Sequence, residues 1–347
     1  MNLSNSTIKL TTSIVWWFLT LISYFSIRFS KGLDPEIKHT LNTSEIEFTV
    51  LFGCLIFGIS SWAISRLIDR TRVLQRNFII QIVLKTLTLF VVLVVLIAGI
   101  DIFHSSELNP DVILSFFSTP QMRSVFIFFL FSSILLNVIF MAVDIIGVQN
   151  TVKILLGKFK VPLIENRIFL FIDLKDSTSI TQEIGHQKYG KLMQEVYSVI
   201  NDISHKFQGE IYQYIGDEVI ISWPSDNEDN YLNATKTYLE IEKEINSLSS
   251  YFKEKFNLTP EFWAGAASGE VTVVEIGTFK RHITYFGDAL NMASRLTSLC
   301  KEANSNFLIS SHIYSNIQNA DDVSFTDLGE YKLRGFSKSV NVYSPRN

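Results

Sequence analysis

The sequence has little cysteine, little charge and no strong excess of either sign. Its 347 residues include only two cysteines, Cys54 and Cys300, which argues against a disulfide framework and favours a reducing compartment for the second half of the chain. Charged residues make up 18% of the chain and the net charge is −4. The composition therefore gives no electrostatic reason to expect nucleic acid as a partner.

Apolar residues are abundant, at 47% of the chain, and they are concentrated in its first half. A helix that crosses a bilayer needs about 20 mostly apolar residues. The first segment that approaches this length lacks the basic start and small-residue cleavage site of a signal peptide, so we expect it to be retained. Residues 1–147 are thus predicted to form a four-helix transmembrane domain in a lipid bilayer, with spans at Thr11–Ile27, Ile46–Ile64, Phe78–Ile100 and Val125–Gly147.

Basic residues predict the orientation of these spans. The loop after the second span is rich in arginine, which is typical of a cytoplasmic loop, whereas residues 101–122 contain no Lys or Arg. The loop after the first span also carries basic residues, and we let the stronger cluster decide. Both termini are then cytoplasmic in a multi-pass protein of the cell (inner or plasma) membrane. The deciding arginines are Arg66, Arg70, Arg72 and Arg76.

A linker, residues 148–166, joins the two halves. The stretch Val148–Pro162 mixes apolar and basic residues and has its proline late. This pattern predicts a helix that continues inward from the fourth span and stops before Pro162. Its position predicts that it is a transducer helix, which carries motion from the membrane domain to the second half of the chain.

From Arg167 onward, short apolar runs alternate with helical periodicity. "RIFLFIDL" predicts a buried strand, and "GEIYQYIGDEVIISW" predicts a hairpin that turns at Gly216–Asp217. Helices are predicted around residues 185–207, over Asn230–Phe256 and in "DALNMASRLTSLCKEA". "PEFWAGAASGEVTVVEIG" is interpreted as strand–turn–strand, and "HITYFG", "NFLIS" and "VNVYS" as further strands. The order predicts an α+β sandwich of ferredoxin-like type with helices on one face.

Two acids fall where such a fold brings strand ends together. Asp173 ends the first strand and Asp217 lies at the tip of the hairpin. Paired carboxylates with backbone carbonyls nearby suit Mg²⁺ or Mn²⁺, which prefer to share their ligands with phosphates. A second interpretation stays open, in which Asp173 caps a turn and Asp217 only serves hairpin geometry.

Two further pairs have the chemistry of a nucleotide site. Asn291 and Arg295 lie four positions apart on one predicted helix and so share a face, where they could hold a sugar and a phosphoryl group. Lys332 and Arg334 could contact terminal phosphates. Each pair could equally belong to an ordinary solvated surface.

The stretches "FIDLKDST", "QYIGDEV" and "GDALNMASRL" resemble, in this order and spacing, the class III nucleotidyl cyclases, which include adenylate and guanylate cyclases. The resemblance covers Arg167–Ser344, and it implies a cyclase catalytic domain at residues 167–347. It implies that Asp173 and Asp217 bind two metal ions, Mg²⁺ or Mn²⁺, with the backbone carbonyl of Ile172 or Leu174.

The same resemblance implies roles for the other residues. Asn291 would orient the ribose, and Arg295 would stabilise charge on the α-phosphate. Arg334, or else Lys332, would hold the β- and γ-phosphates. Similar enzymes are head-to-tail dimers in which the metal carboxylates come from one subunit and the Asn and Arg from the other, so a homodimer would have two equivalent sites. The products would be a 3′,5′-cyclic nucleotide and pyrophosphate.

Base choice in this family depends on two positions, which here are Gln213 and Thr284. Thr284 fits the adenine pattern, whereas Gln213 replaces the usual lysine with an amide that can donate or accept. The resemblance therefore implies ATP as the substrate, with GTP as an open alternative.

Two rival interpretations remain. "IGDEV" is similar to the GGDEF stretch of diguanylate cyclases, but Ile215 stands where that signature has its first glycine. Alternatively, the protein is a catalytically silent membrane receptor that keeps the fold for dimerisation, although the metal acids and Arg295 are all present. Glu218 either supports the metal ligands from behind or is simply an exposed hairpin residue, and we favour the second interpretation.

Overall fold

The structure is a computed structural model that describes residues 5–30, 43–69, 78–105, 120–146, 157 and 159–346, except 280 and 321. The chain divides into two compact units, Met1–Leu156 and Gly157–Asn347. Each unit is described by itself below.

Four long helices make up the described part of the first unit: α1 (Asn5–Ser30), α2 (Thr43–Asp69), α3 (Phe78–Ser105) and α4 (Pro120–Ile146). Each contains a stretch long and apolar enough to cross a membrane, which confirms the four predicted apolar helices. Of the arginines used to predict orientation, Arg70, Arg72 and Arg76 lie outside the described residues. The four stretches are Ser6–Ile27, Val50–Ile68, Phe78–Leu96 and Arg123–Val143.

Aromatic and small polar side chains hold these helices together. The Trp17 ring is fully buried, with its centroid 5.3 Å from that of Phe57 and 4.8 Å from that of Phe129. Its indole N–H donates to the Ser61 hydroxyl at 2.8 Å, and the Trp16 N–H donates to the Ser132 hydroxyl at 3.0 Å. Polar groups paired inside a bundle, with large apolar side chains outside, are typical of helices packed in lipid.

Most of the predicted linker helix lies outside the described residues. Gly157 and the residues from Phe159 to Val161 form turns and bends rather than a helix, so the prediction of a helix up to Pro162 is wrong for these positions. The Phe159 carbonyl accepts a hydrogen bond from the Glu275 N–H at 2.8 Å. The chain is thus already part of the second unit before the proline is reached.

The second unit is an eight-stranded sheet with the order β2-β3-β1-β4-β6-β8-β7, and β5 pairs with β4. The β4–β6 pair is parallel, and the other pairs are antiparallel. Its strands are β1 (Leu163–Leu174), β2 (Glu210–Ile215), β3 (Glu218–Pro224), β4 (Phe262–Ile276), β5 (His282–Phe286), β6 (Phe307–Ser310), β7 (Ser324–Tyr331) and β8 (Val340–Arg346). Its helices are α5 (Ser177–Ile184), α6 (His186–Lys206), α7 (Asp229–Ser247), α8 (Ser249–Phe256), α9 (Asp288–Leu299) and α10 (Ser311–Ile317).

Helices cover both faces of this sheet, which corrects the prediction of one covered face. Ile168 and Leu170 of β1 belong to a core with α6 and α7, while Phe169 and Phe171 belong to a second core with α9. The physical reason lies in β1 itself. Because its central run is apolar at every position, both of its faces must be removed from water.

Two other predictions differ from the structure. The stretch predicted as strand–turn–strand is one continuous strand, β4, and Gly265 within it serves close packing instead of a turn. A Cβ at Gly265 would lie 2.4 Å from the Ala293 carbonyl oxygen on α9. The predicted helix Asn230–Phe256 is divided at Leu248 into α7 and α8. Three further elements, α5, α10 and β7, were not predicted.

Candidate active site

The two predicted metal acids meet at one end of the sheet. Asp173 is the penultimate residue of β1, and Asp217 lies in the turn between β2 and β3. Gly216 makes that turn possible, because its φ of +64° is in the left-handed region that favours glycine. Burial, and then the nearby Asp217 carboxylate, raise the pKa of Asp173, while a backbone hydrogen bond at Leu174 lowers it. The two acids are therefore close enough to repel each other.

Glu218 belongs to the same cluster, so the interpretation as an exposed hairpin residue is wrong. It pairs with Asp173 in the β1–β3 ladder, and its side chain is half-buried. Burial, then Asp173, then Asp217 raise its pKa to about 7. The strand register could have indicated this, since directly paired residues project from the same face of a sheet.

Tyr197 of α6 fixes the tip of the hairpin, and sequence reasoning missed it. Its hydroxyl donates to the Gly216 carbonyl at 2.8 Å, and its ring lies 4.6 Å from that of Tyr214. Burial, followed by the charge of Asp217, raises its pKa. The available signal was its position on α6 beside the buried residue Val196.

These acids fit a divalent metal. Their mutual repulsion is the kind of cost that a cation removes, and carboxylate oxygens are the donors that Mg²⁺ and Mn²⁺ prefer. Ile172 and Leu174, whose carbonyls are the expected additional ligands, flank Asp173 on β1. Among the described residues, no group of three or more His, Cys, Asp and Glu could enclose an ion. An ion here would complete its shell with carbonyls, water or substrate phosphates.

Asn291 and Arg295 lie on the outward side of α9. The opposite side of α9 faces the sheet through small residues: Ala293 packs on Gly265 of β4, and Ala289 packs on Gly269. Asn291 and Arg295 are both exposed, and Arg295 forms no ion pair with the carboxylate of another described residue. Among the described residues, no hydrogen bond or ion pair joins Asn291 or Arg295 to Asp173 or Asp217.

The residues predicted to recognise the base lie on two strands that contact each other. Gln213 is exposed on β2, and Thr284 is half-buried on β5. The hydroxyl of Tyr212 accepts a hydrogen bond from the Tyr285 N–H at 3.4 Å, so the neighbours of the two residues are in contact.

The predicted phosphate ligands lie apart from these groups in the chain. Lys332 and Arg334 are exposed and follow β7, where Gly335 has a φ of +89°. Leu333 between them is buried and anchors the segment. Their side chains are therefore free to project from the surface of the unit.

Comparison with known proteins gives the family. The family model described as adenylate and guanylate cyclase catalytic domain matches residues 160–344. Adenylate cyclase 2 of Rhizobium meliloti (strain 1021) is 29% identical over 201 residues, which are 58% of this chain and 55% of that protein. Adenylate cyclase of Anabaena cylindrica is 26% identical over 179 residues, 50% of this chain and 35% of that protein.

The chain thus spans about half the length, or less, of these curated relatives. Among solved structures, the adenylyl cyclase CyaB from P. aeruginosa is 22% identical with a TM-score of 0.49, over 54% of this chain and 96% of that one. The family match covers more than half of the 347 residues and contains all three stretches that carried the resemblance. The chain therefore belongs to the adenylate and guanylate cyclase catalytic domain family.

Proposed function

We propose that this chain is a membrane-bound adenylate cyclase that converts ATP into 3′,5′-cyclic AMP and pyrophosphate as a homodimer. One observation carries the proposal. Asp173 and Asp217 meet at one end of the sheet, whereas Asn291 and Arg295 face outward on α9. An outward-facing Asn and Arg are placed where they can meet a ligand bound to another surface, and a second copy would present the matching acids. The relatives compared above are named adenylate cyclases.

In this proposal Asp173 and Asp217 hold two Mg²⁺ or Mn²⁺ ions with the backbone carbonyl of Ile172 or Leu174. When bound, such ions activate the ribose 3′-hydroxyl and neutralise the charge of the leaving pyrophosphate. The protein's own part is to hold the two carboxylates close together at one end of the sheet. The Gly216 turn and the hydrogen bond from the Tyr197 hydroxyl to the Gly216 carbonyl hold the turn that carries Asp217 in one conformation.

The partner surface supplies the remaining groups. The guanidinium of Arg295 would face the α-phosphate, where negative charge develops as the 3′-oxygen attacks phosphorus in line and pyrophosphate leaves. Asn291 would hold the ribose at the distance that this attack needs. Arg334, or else Lys332, would bind the β- and γ-phosphates. The seating of α9 on Gly265 supports a rigid placement of Asn291 and Arg295.

The base would be read by Gln213 and Thr284. An amide at Gln213 can donate to adenine N1, but it can also accept from guanine N1–H when it is flipped. This observation favours a second candidate function, a guanylate or dual-specificity cyclase. ATP remains the primary substrate in the proposal because Thr284 suits adenine and because the relatives compared above are adenylate cyclases.

The four apolar helices would anchor the enzyme in the cell membrane with the catalytic unit in the cytoplasm. In this arrangement the Val148–Pro162 part of the linker would control how the two catalytic units of a dimer meet. Equal activity of the full chain and a truncated chain under every condition tried would argue against such control.

The deciding experiment is turnover by the purified full chain in lipid nanodiscs, with Mn²⁺ or Mg²⁺ and with ATP or GTP. Asp217→Ala is measured beside it. Production of cyclic AMP by wild type but not by the variant supports the proposal. If the product is mainly cyclic GMP, the enzyme is a guanylate cyclase instead. No product from either nucleotide by a confirmed dimer refutes it and leaves a silent receptor.

A further inference from the structure

A direct contact joins two strands that are not neighbours in the sheet. β2 lies at one edge, beyond β3 and β1, whereas β5 pairs with β4. The Tyr212 hydroxyl nevertheless accepts the Tyr285 N–H at 3.4 Å, and the two rings are edge to face with centroids 5.0 Å apart. Because the next residue after Tyr212 is Gln213 and the residue before Tyr285 is Thr284, this contact fixes the separation of the two base-recognition positions.

The strand is also irregular at this point. Ile211 pairs with Ile221, but Gln213 pairs with Ile220, so Tyr212 is the extra residue of a β-bulge. A bulge bends its strand and changes the direction of the side chains beside it, and bulges are frequent next to active sites. The direction in which the Gln213 side chain points therefore depends on the contacts that fix Tyr212.

Arg167 of β1 contacts residues on both of the strands that this contact joins. It is only 1% exposed, and its guanidinium donates to the Glu210 carboxylate and to the Ser222 hydroxyl, each at 2.8 Å. The same guanidinium lies 5.0 Å from the centroid of the Tyr285 ring. Arg167 thus ties the first residue of β2 and the ring on β5 to the central strand, and it closes a ring of contacts around the bulge.

A buried ion pair is a poor way to gain stability, because both groups lose their hydration. Charge-assisted hydrogen bonds in a buried site are, however, strong and directional. The Arg167 cluster is therefore better suited to fixing a geometry than to stabilising the fold.

We propose that Tyr212 and Arg167 are positioning residues that set the base selectivity of the nucleotide site by holding Gln213 and Thr284 in one fixed relation. The inference rests on the proposed function, because it assigns these two strands to the base. An amide reads adenine or guanine according to which of its ends faces the base. A small displacement of Gln213 relative to Thr284 therefore changes the ranking of the two bases.

The test uses Tyr212→Phe, which keeps the ring and removes only the hydroxyl. Its matched control is Tyr314→Phe, on α10, whose ring stacks on that of Tyr343 in the other part of the unit. For the full chain in nanodiscs we would measure kcat/KM for ATP and GTP, and Kd for 3′-deoxy-ATP and 3′-deoxy-GTP, which cannot cyclise. The selectivity ratio should move toward one by about three- to tenfold in Tyr212→Phe, the size of one lost hydrogen bond. The ratio should not move in Tyr314→Phe.

Two further variants separate positioning from general damage. In a Gln213→Ala background, Tyr212→Phe should no longer change the ratio, because its effect passes through Gln213. Arg167→Lys keeps the charge but loses the planar guanidinium, whose two terminal nitrogens contact Glu165 and Glu210, and it should shift the ratio in the same direction as Tyr212→Phe.

The outcomes also separate this inference from the proposed function. If wild type makes no cyclic nucleotide but binds the two 3′-deoxy nucleotides selectively, and Tyr212→Phe shifts that binding ratio, the proposed function fails and the inference stands. An equal loss for both nucleotides, an unchanged ratio, or no binding by wild type would overturn the inference.

Discussion

Asp173 lies directly opposite Glu218 in the β1–β3 ladder, and Asp217 immediately precedes Glu218 in the turn. Three carboxylates therefore share one end of the sheet. Their mutual repulsion adds to burial in raising the pKa of Asp173, and it contributes to the pKa of about 7 at Glu218. Such an arrangement costs folding stability until a cation or a proton neutralises it.

Removing one of these charges should stabilise the metal-free protein. We expect Asp217→Asn to raise the unfolding temperature of the catalytic unit, without divalent metal, by about 1–3 °C, because it removes a carboxylate that repels both Asp173 and Glu218, and a close pair of like charges costs a few tenths to about 1 kcal/mol. Millimolar Mn²⁺ should raise the unfolding temperature of wild type but not that of Asp217→Asn. Thermal unfolding of the full chain in detergent measures both effects, with the exposed Asp226→Asn as control. An equal Mn²⁺ response of wild type and Asp217→Asn would remove Asp217 from the metal site.

A shared site predicts complementation between subunits. Asp173→Ala and Arg295→Ala should each lower turnover by about 100-fold or more when expressed alone. Co-expressed, they should recover about a quarter of wild-type activity, because half of the dimers are mixed and each mixed dimer keeps one intact site. Cyclic nucleotide production by the co-purified mixture measures this. Asp173→Ala mixed with Asp217→Ala should recover nothing, and recovery in that control would contradict a site divided in this way.

Replacing glycine by alanine should change the free energy of unfolding in opposite directions at two positions. At Gly265 an added Cβ meets the Ala293 carbonyl and the Thr297 N–H at 2.4 Å, and both are backbone atoms of α9. We expect Gly265→Ala to lower the free energy of unfolding by about 1–3 kcal/mol. Gly190 lies within α6 with nothing within 4 Å of an added Cβ, so Gly190→Ala should raise it by about 0.5–1 kcal/mol. Denaturant titration of both variants checks the pair, and equal effects would refute the packing argument.

The Cys300 thiol should not react with alkylating reagents in the folded protein. Its thiol is buried and donates to the Ala264 carbonyl at 3.1 Å, and burial raises its pKa to about 12. The group is therefore a neutral thiol at pH 8, whereas alkylation needs the thiolate. Iodoacetamide followed by mass spectrometry should modify Cys300 only after unfolding in guanidinium. Rapid modification at pH 8 in the native protein would show that the site opens.

Local signals were sufficient for the elements that carry the acids. The apolar run of β1 and the Gly216 turn are short-range features, and both could be predicted from a few adjacent residues. The course of β4 could not be predicted in this way. Its stretch is interpreted from the sequence as strand–turn–strand, but the strand is continuous, and the missing side chain of Gly265 makes room for a helix that follows later in the chain.

Partners distant in the sequence explain the remaining differences. Glu218 could be placed only once the register of β3 against β1 was known. Arg167 begins the predicted strand, and its role could not be predicted because its two closest partners, Glu210 and Ser222, belong to the following hairpin. Such contacts depend on the assembled sheet rather than on local periodicity.

The long central strand β4 also sets the order in which the catalytic unit can be completed during synthesis. β1 can pair early with β3, but its other edge stays open along its length until β4, roughly a hundred residues later, has left the ribosome. An open strand edge is a template for pairing with other chains. Chains that end before β4 should therefore aggregate more readily than the complete chain.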